Sequence, residues 1–166
     1  LTSTSKLLPL ESKIKIRPEF GSTAEAIKQK YGEPYYKLIN TTVLNNQIFF
    51  YKFIMGGYKT KCEMHFFKNR LFFFNYTFSY LTPKDKIKIN EFLSKKYLEK
   101  SVELENSKII DQYGSEISIQ DSVDFIINYL AAKSDFFDEA ESIRTKAKDQ
   151  SELKSDLNNK ELYNRL

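Results

Sequence analysis

Apolar and polar positions alternate along three runs between residues 47 and 80, QIFFYKFIM, YKTKCEMHFF and RLFFFNYTFSY, with Gly56-Gly57 and Lys68-Asn69 between them. Period-two alternation rich in aromatic and β-branched residues predicts antiparallel strands joined by tight turns. A two-residue turn at Gly56-Gly57 pairs Met55 with Tyr58, Phe53 with Thr60, Tyr51 with Cys62 and Phe49 with Met64, which makes one face continuously apolar. The same loop length at Lys68-Asn69 would set His65 against Phe72 and mix the faces. A three-residue loop with Asn69 at a bulge is therefore expected, pairing Phe66 with Arg70, Met64 with Phe72 and Cys62 with Phe74. The inner face then holds Phe49, Tyr51, Phe53, Met55, Tyr58, Cys62, Met64, Phe66, Phe72, Phe74, Tyr76, Phe78 and Tyr80. The outer face is expected to carry Lys52, Lys59, Lys61, Glu63, His65, Asn75, Thr77 and Ser79, with Ile48, Phe50, Phe67, Leu71 and Phe73 leaving it only partly polar.

Helical signals flank this group. GSTAEAIKQKYGEP carries a capping box at Ser22 and Glu25 and a stop at Gly32 and Pro34, so a helix is expected over 23–31 with Ala26 and Ile27 inward. In LTPKDKIKINEFLSKKY, Thr82 caps, Pro83 suits the first helical position, Asp85 completes a capping-box-like start, and Ile89, Leu93 and Tyr97, with Phe92 beside them, form a buried stripe. A second strand group follows as SKIIDQY, EISIQD and SVDFIINYLAAK, with a turn at Gly114-Ser115 and Val123, Phe125, Ile127 and Tyr129 on one face. Helix returns after Ser134. The predicted fold is α+β: a twisted antiparallel sheet in the order helix, three strands, helix, three strands, helix, with helices packed on one face. Residues 1–20 read as a leader with a compatible edge strand, 21–145 as one domain in which two similar halves are compatible with the element order, and 146–166 as a charged helical tail anchored sparsely by Leu153, Leu157, Leu162 and Leu166.

Composition changes this picture little. Among 166 residues, 26 basic against 22 acidic side chains leave a net charge of +4, too small an excess to mark a nucleic-acid binder by itself. One cysteine excludes an internal disulfide and a multi-cysteine zinc cage. No apolar run is long enough to span a bilayer. LTSTSKLLPLESK, from Leu1, reads as a polar leader of the kind that either removal of an export signal, with or without a lipid anchor, or trimming of the N-terminus would leave.

The only cysteine and only histidine, Cys62 and His65, stand three apart in one expected strand and so project to opposite faces. Neither a dyad nor a metal site follows, and a buried structural thiol and an exposed imidazole are expected. The pairs Asp121 with Asp124 and Asp135 with Asp138 belong to a strand start and a helix N-terminus, where the helix dipole favours negative charge. No phosphate cradle, calcium loop or nucleophile elbow occurs. No catalytic residue, metal or cofactor is expected, and the reading leans away from an enzyme. A contiguous apolar and basic outer face instead suggests docking of a protein partner at Phe50, Lys52, Lys59, Lys61, His65, Phe67, Leu71 and Phe73. Two alternatives stand beside it. One is a cone-shaped ligand-binding or enzymatic fold with a pocket lined by Tyr51, Tyr58, Tyr76 and Tyr80. The other is a nucleic-acid module that stacks bases on Phe67 or Phe73. NTT at Asn40 and NYT at Asn75 match the glycosylation acceptor pattern.

GSTAEAIKQKYGEPYYK, followed by IFFYKF and FFKNRLFFF, resembles the modules of small bacterial outer-membrane assembly lipoproteins and β-lactamase inhibitory proteins. Such modules open with a glycine and a short helix, turn at Gly-x-Pro and enter antiparallel strands. Gly21, Gly32, Pro34, Tyr51, Phe67, Asn69 and Leu71 occupy the corresponding positions, within residues 21–80. The resemblance implies a non-catalytic binding scaffold in the periplasm, at the outer membrane or secreted. It identifies no partner and no oligomeric state.

Overall fold

The computed structural model describes residues 7–40 and 46–166, without the side chains of 40, 150–152 and 154. The leader's first residues and the side chain of Asn40 lie outside the described set. The chain divides into two units, Leu1–Lys133 and Ser134–Leu166. In chain order the elements are β1 (Leu8–Ser12), α1 (Ala24–Tyr31), β2 (Tyr36–Asn40), β3 (Asn46–Met55), β4 (Tyr58–Phe67), β5 (Arg70–Phe78), α2 (Pro83–Leu98), β6 (Ser107–Asp111), β7 (Glu116–Asp121), β8 (Phe125–Leu130) and α3 (Asp135–Arg165).

One eight-stranded sheet runs β1-β6-β7-β8-β5-β4-β3-β2, antiparallel throughout except for β1 on β6. The α+β class and the order of elements are those expected, and the strand count rises from six to eight because short strands flank both triplets. The triplets β3-β4-β5 and β6-β7-β8 meet through their last strands, with Phe74 opposite Tyr129 and Tyr76 opposite Ile127.

The inner face of the sheet carries the core. Phe49, Met64, Phe66, Leu71 and Phe74 join Ile109, Ile117, Ile127 and Tyr129, and Ile27 of α1 and Ile89, Leu93 and Tyr97 of α2 close over them. Phe74 and Tyr129 stack at 4.4 Å between centroids, which couples the two triplets at the sheet centre.

Both helices in this unit start on caps. At α2 the expected box is complete: Thr82 accepts from Asp85 N at 3.1 Å and Asp85 accepts from Thr82 N at 3.1 Å. At α1 the cap is Thr23, which accepts from Ala26 N, and not Ser22, whose hydroxyl donates to the Glu19 carbonyl. This one-residue shift turns Ala24 and Ile27 inward and leaves Ala26 exposed. Phe92 is likewise 64% exposed, because the stripe of α2 is narrower than its apolar residues suggest. Val123 falls outside β8 and is exposed in the turn before it.

The β3–β4 register matches the expected pairs, Met55 with Tyr58 through Phe49 with Met64. The β4–β5 register does not. The turn is two residues long, with Lys68 (φ 49°) and Asn69 (φ 63°) both left-handed, and Phe67 pairs with Arg70. The extra residue lies inside β5, where Phe66 faces Leu71 but His65 faces Phe73, so Phe72 forms the bulge. Cys62 therefore pairs with Tyr76 and Met64 with Phe74.

A contact distant in sequence accounts for the bulge. Leu71 N donates to Ser22 O at 2.9 Å and Leu71 O accepts from Gly21 N at 2.8 Å, while the Asn69 side-chain oxygen accepts from Ala24 N at 3.1 Å. The entry to α1 thus pairs with the start of β5 at Leu71, whose side chain lies in the core.

The second unit is α3, capped at Ser134 by a bond from Phe137 N and continuous to Arg165. The helix starts at Asp135, directly after the expected cap Ser134, and continues without a break through the charged stretch from 146. Leu153, Leu157 and Leu162 are each more than half exposed. None of the described helices is long and apolar enough to cross a membrane.

Candidate binding surface

The bulge redistributes the residues expected on the outer face. Leu71 is fully buried within the core cluster and belongs to the inner face. Phe67 and Phe73 point outward but are 1% and 4% exposed, and His65 is 9% exposed. These four are therefore not open to a partner, contrary to the expectation from alternation alone. His65 packs edge-on against Phe73 at 5.2 Å, and its Nε2 lies 3.1 Å from Glu63 Oε1. Asn75 is also buried in β5, which places its acceptor pattern in a packed strand.

Cys62 lies on the inner face, 1% exposed, and burial pushes its thiol well above the ordinary range, so it carries no thiolate to attack or ligate with. It and His65 occupy opposite faces, as the odd spacing requires. Among the described residues, no group of three or more histidine, cysteine or acidic side chains is placed to hold a metal ion.

The pocket alternative needs four tyrosine hydroxyls to converge, and those of Tyr51 and Tyr58 are bound at two different helices. Tyr51 donates to Gly32 O at 2.8 Å at the end of α1, Tyr58 donates to Asp85 Oδ1 at 2.7 Å at the start of α2, and Tyr80 is fully exposed with φ 61°. Tyr76 lies against Tyr129.

These phenols do carry a pH dependence. Burial pushes Tyr51 up to about 12 and raises Tyr31, Tyr76, Tyr97 and Tyr129, each with burial as the main cause. A phenol with a raised folded-state value holds its proton longer than in the unfolded chain. Stability is then complete below the unfolded value of about 10 and falls as pH rises toward 12. Phenolate absorbance is expected to rise in two stages on alkaline titration, the second coincident with loss of tertiary circular dichroism; a single early stage for all 11 tyrosines would contradict this packing.

What remains open on the outer face lies nearer the β2 edge. Tyr36 sits opposite Phe50 with ring centroids 5.6 Å apart, and Leu38 sits opposite Ile48. Lys52 faces Lys61, and Ile54 faces Lys59. Tyr36, Leu38 and Ile54 are 53%, 45% and 76% exposed, Phe50 is half-buried, and the three lysines are exposed.

Two lysines directly opposite on one face repel, and no described carboxylate lies within 4.0 Å of either to offset this. The ammonium of Lys52 reaches sideways over the Tyr35 ring at 4.5 Å, toward the edge strand. The surface is thus apolar, aromatic and mainly basic, with one carboxylate on it, Glu63 opposite Phe50. Sequence reasoning found Phe50, Lys52, Lys59 and Lys61, and missed Tyr35, Tyr36 and Leu38; the signal for those was the apolar run YYKLI directly after the Gly-x-Pro turn.

No protein-family model matches this chain, and no curated protein or solved structure is similar enough to count as a match.

Proposed function

We propose that the protein is a non-catalytic protein-binding scaffold that works outside the cytoplasm, in the cell envelope or secreted, and that its partner docks on the outer face of β2, β3 and β4. The observation that carries this reading is the in-register Lys52–Lys61 pair set among exposed Tyr36, Leu38 and Ile54. A like-charged pair lowers stability unless an anionic group answers it, and apolar groups clustered beside it favour burial against a partner. The compartment rests on the resemblance of residues 21–80 to envelope lipoprotein modules.

Photo-crosslinking side chains placed at Tyr36 and Ile54, in cells that produce the protein, test it. A discrete adduct is expected from both positions and none from Tyr113, which is equally exposed but lies in the β6–β7 turn. The double variant Lys52→Glu/Lys61→Glu is expected to abolish the adduct and the binding of the purified partner. Adducts of equal yield from Tyr113, or none from Tyr36 and Ile54, would remove the docking face. Recovery of the native protein in the cytosolic fraction would overturn the compartment.

A further inference from the structure

Resting on that reading, we infer the mode of docking and the chemistry of the partner: an extended, acidic segment adds to β2 as a further strand. Strand β2 ends the order of the sheet, with β3 on one side and no described strand on the other. Alternate N–H and C=O groups of an edge strand point away from its neighbour and are free to pair with another chain.

The two edges of this sheet differ in how they are guarded. The β1 edge carries Pro9, which has no N–H to offer, and the acidic Glu11. Strand β2, YKLIN, has no proline and no acidic residue, and Tyr36, Leu38 and Ile39 are 53%, 45% and 67% exposed. Apolar side chains thus stand on both faces of an open edge.

Charge selects the occupant. On the outer side Lys52 leans over Tyr35 beside β2. On the inner side Lys37 of β2 and Lys28 of α1 both sit over the Phe49 ring, at 5.9 and 5.6 Å. Glu33, 3.6 Å from Lys37, is the one described carboxylate paired with any of these three lysines. An incoming strand that alternates acidic and apolar residues, with its carboxylates on the inner side, would set those carboxylates toward Lys37 and Lys28 and its apolar groups beside Tyr36 and Leu38 on the outer side. A second copy of the chain, paired edge to edge, would bring lysine toward lysine and is disfavoured.

The test uses a blocked octapeptide of alternating glutamate and valine, its counterpart with lysine for glutamate, and a form N-methylated at alternate amides. Binding of the glutamate peptide is expected to slow amide exchange within Tyr36–Asn40, and the N-methylated and lysine forms are expected not to bind. Lys28→Glu/Lys37→Glu is expected to weaken binding about tenfold, whereas Lys84→Glu, exposed at the start of α2 and outside the proposed surface, leaves it unchanged.

Equal binding of the N-methylated form overturns strand addition while leaving face docking intact. Equal binding of the lysine peptide overturns the acidic partner, and absence of binding by the glutamate peptide overturns the inference whatever the cross-linking shows. Dimerisation of the protein alone, with protection at β2, assigns the edge to a second copy and overturns it as well.

Discussion

Replacing Phe74 with alanine is expected to cost about 3–5 kcal/mol of folding stability, the largest effect of any single substitution considered for this chain. The ring is fully buried in β5, with Met64 opposite on β4 and Tyr129 opposite on β8. It stacks on Tyr129 at 4.4 Å and lies 5.6 Å from the Phe20 ring. Truncation removes the side chain that joins the two triplets and leaves a cavity that strands held on both sides cannot close. Phe92→Ala, on the exposed side of α2, is expected to change stability by no more than about 0.5 kcal/mol. Chemical denaturation of both variants checks the pair. A loss below about 1.5 kcal/mol for Phe74→Ala would mean that the core is not organised around this contact.

The second large effect is expected at Asp111, a carboxylate 5% exposed at the end of β6. Its Oδ1 accepts from Tyr113 N and Ser115 N, both at 2.9 Å, and its Oδ2 accepts from Ile16 N at 3.3 Å. One side chain therefore closes the β6–β7 turn and ties to it the segment that follows β1. Asp111→Ala leaves those donors without a partner, and each buried unsatisfied N–H costs about 1–3 kcal/mol. A total loss of about 2–4 kcal/mol is expected, since water reaches Tyr113 in the turn. Asp111→Asn keeps an acceptor for the turn and is expected to recover about half. Amide exchange at Ile16, Tyr113 and Ser115 should accelerate in the alanine variant; unchanged exchange there would show that the carboxylate does not hold the turn.

How much of this was readable beforehand differs element by element. The β3–β4 hairpin was fully readable, because Gly56-Gly57 admits a two-residue turn and the flanking alternation accepts only one register. The α2 cap was readable for the same local reason, since Thr82 and Asp85 satisfy each other within one turn. The β4–β5 hairpin was not. Its turn length and bulge trade against one another along the chain: a longer loop and a bulge within the strand both restore alternation. Gly21 and Ser22, far off in sequence, decide between them by taking the backbone groups of Leu71.

The candidate surface divides along the same line. Alternation located Phe50, Lys52, Lys59 and Lys61 on the outer face, and they are there. It could not tell that Leu71 turns inward, nor that Phe67, Phe73 and His65 are shielded from solvent, because a period of two reports which face a residue takes and not what covers that face.

By itself the sequence determined the class of fold, the order of its elements, the separation of Cys62 from His65 and the stripe by which α2 packs, all consequences of spacing along a few residues. Only the tertiary structure decided the parallel β1–β6 pairing and the bulge at Phe72, where Leu71 bonds to Gly21 and Ser22. Each of these satisfies backbone hydrogen bonds between segments far apart in the chain, and such pairing leaves no local pattern from which to read it.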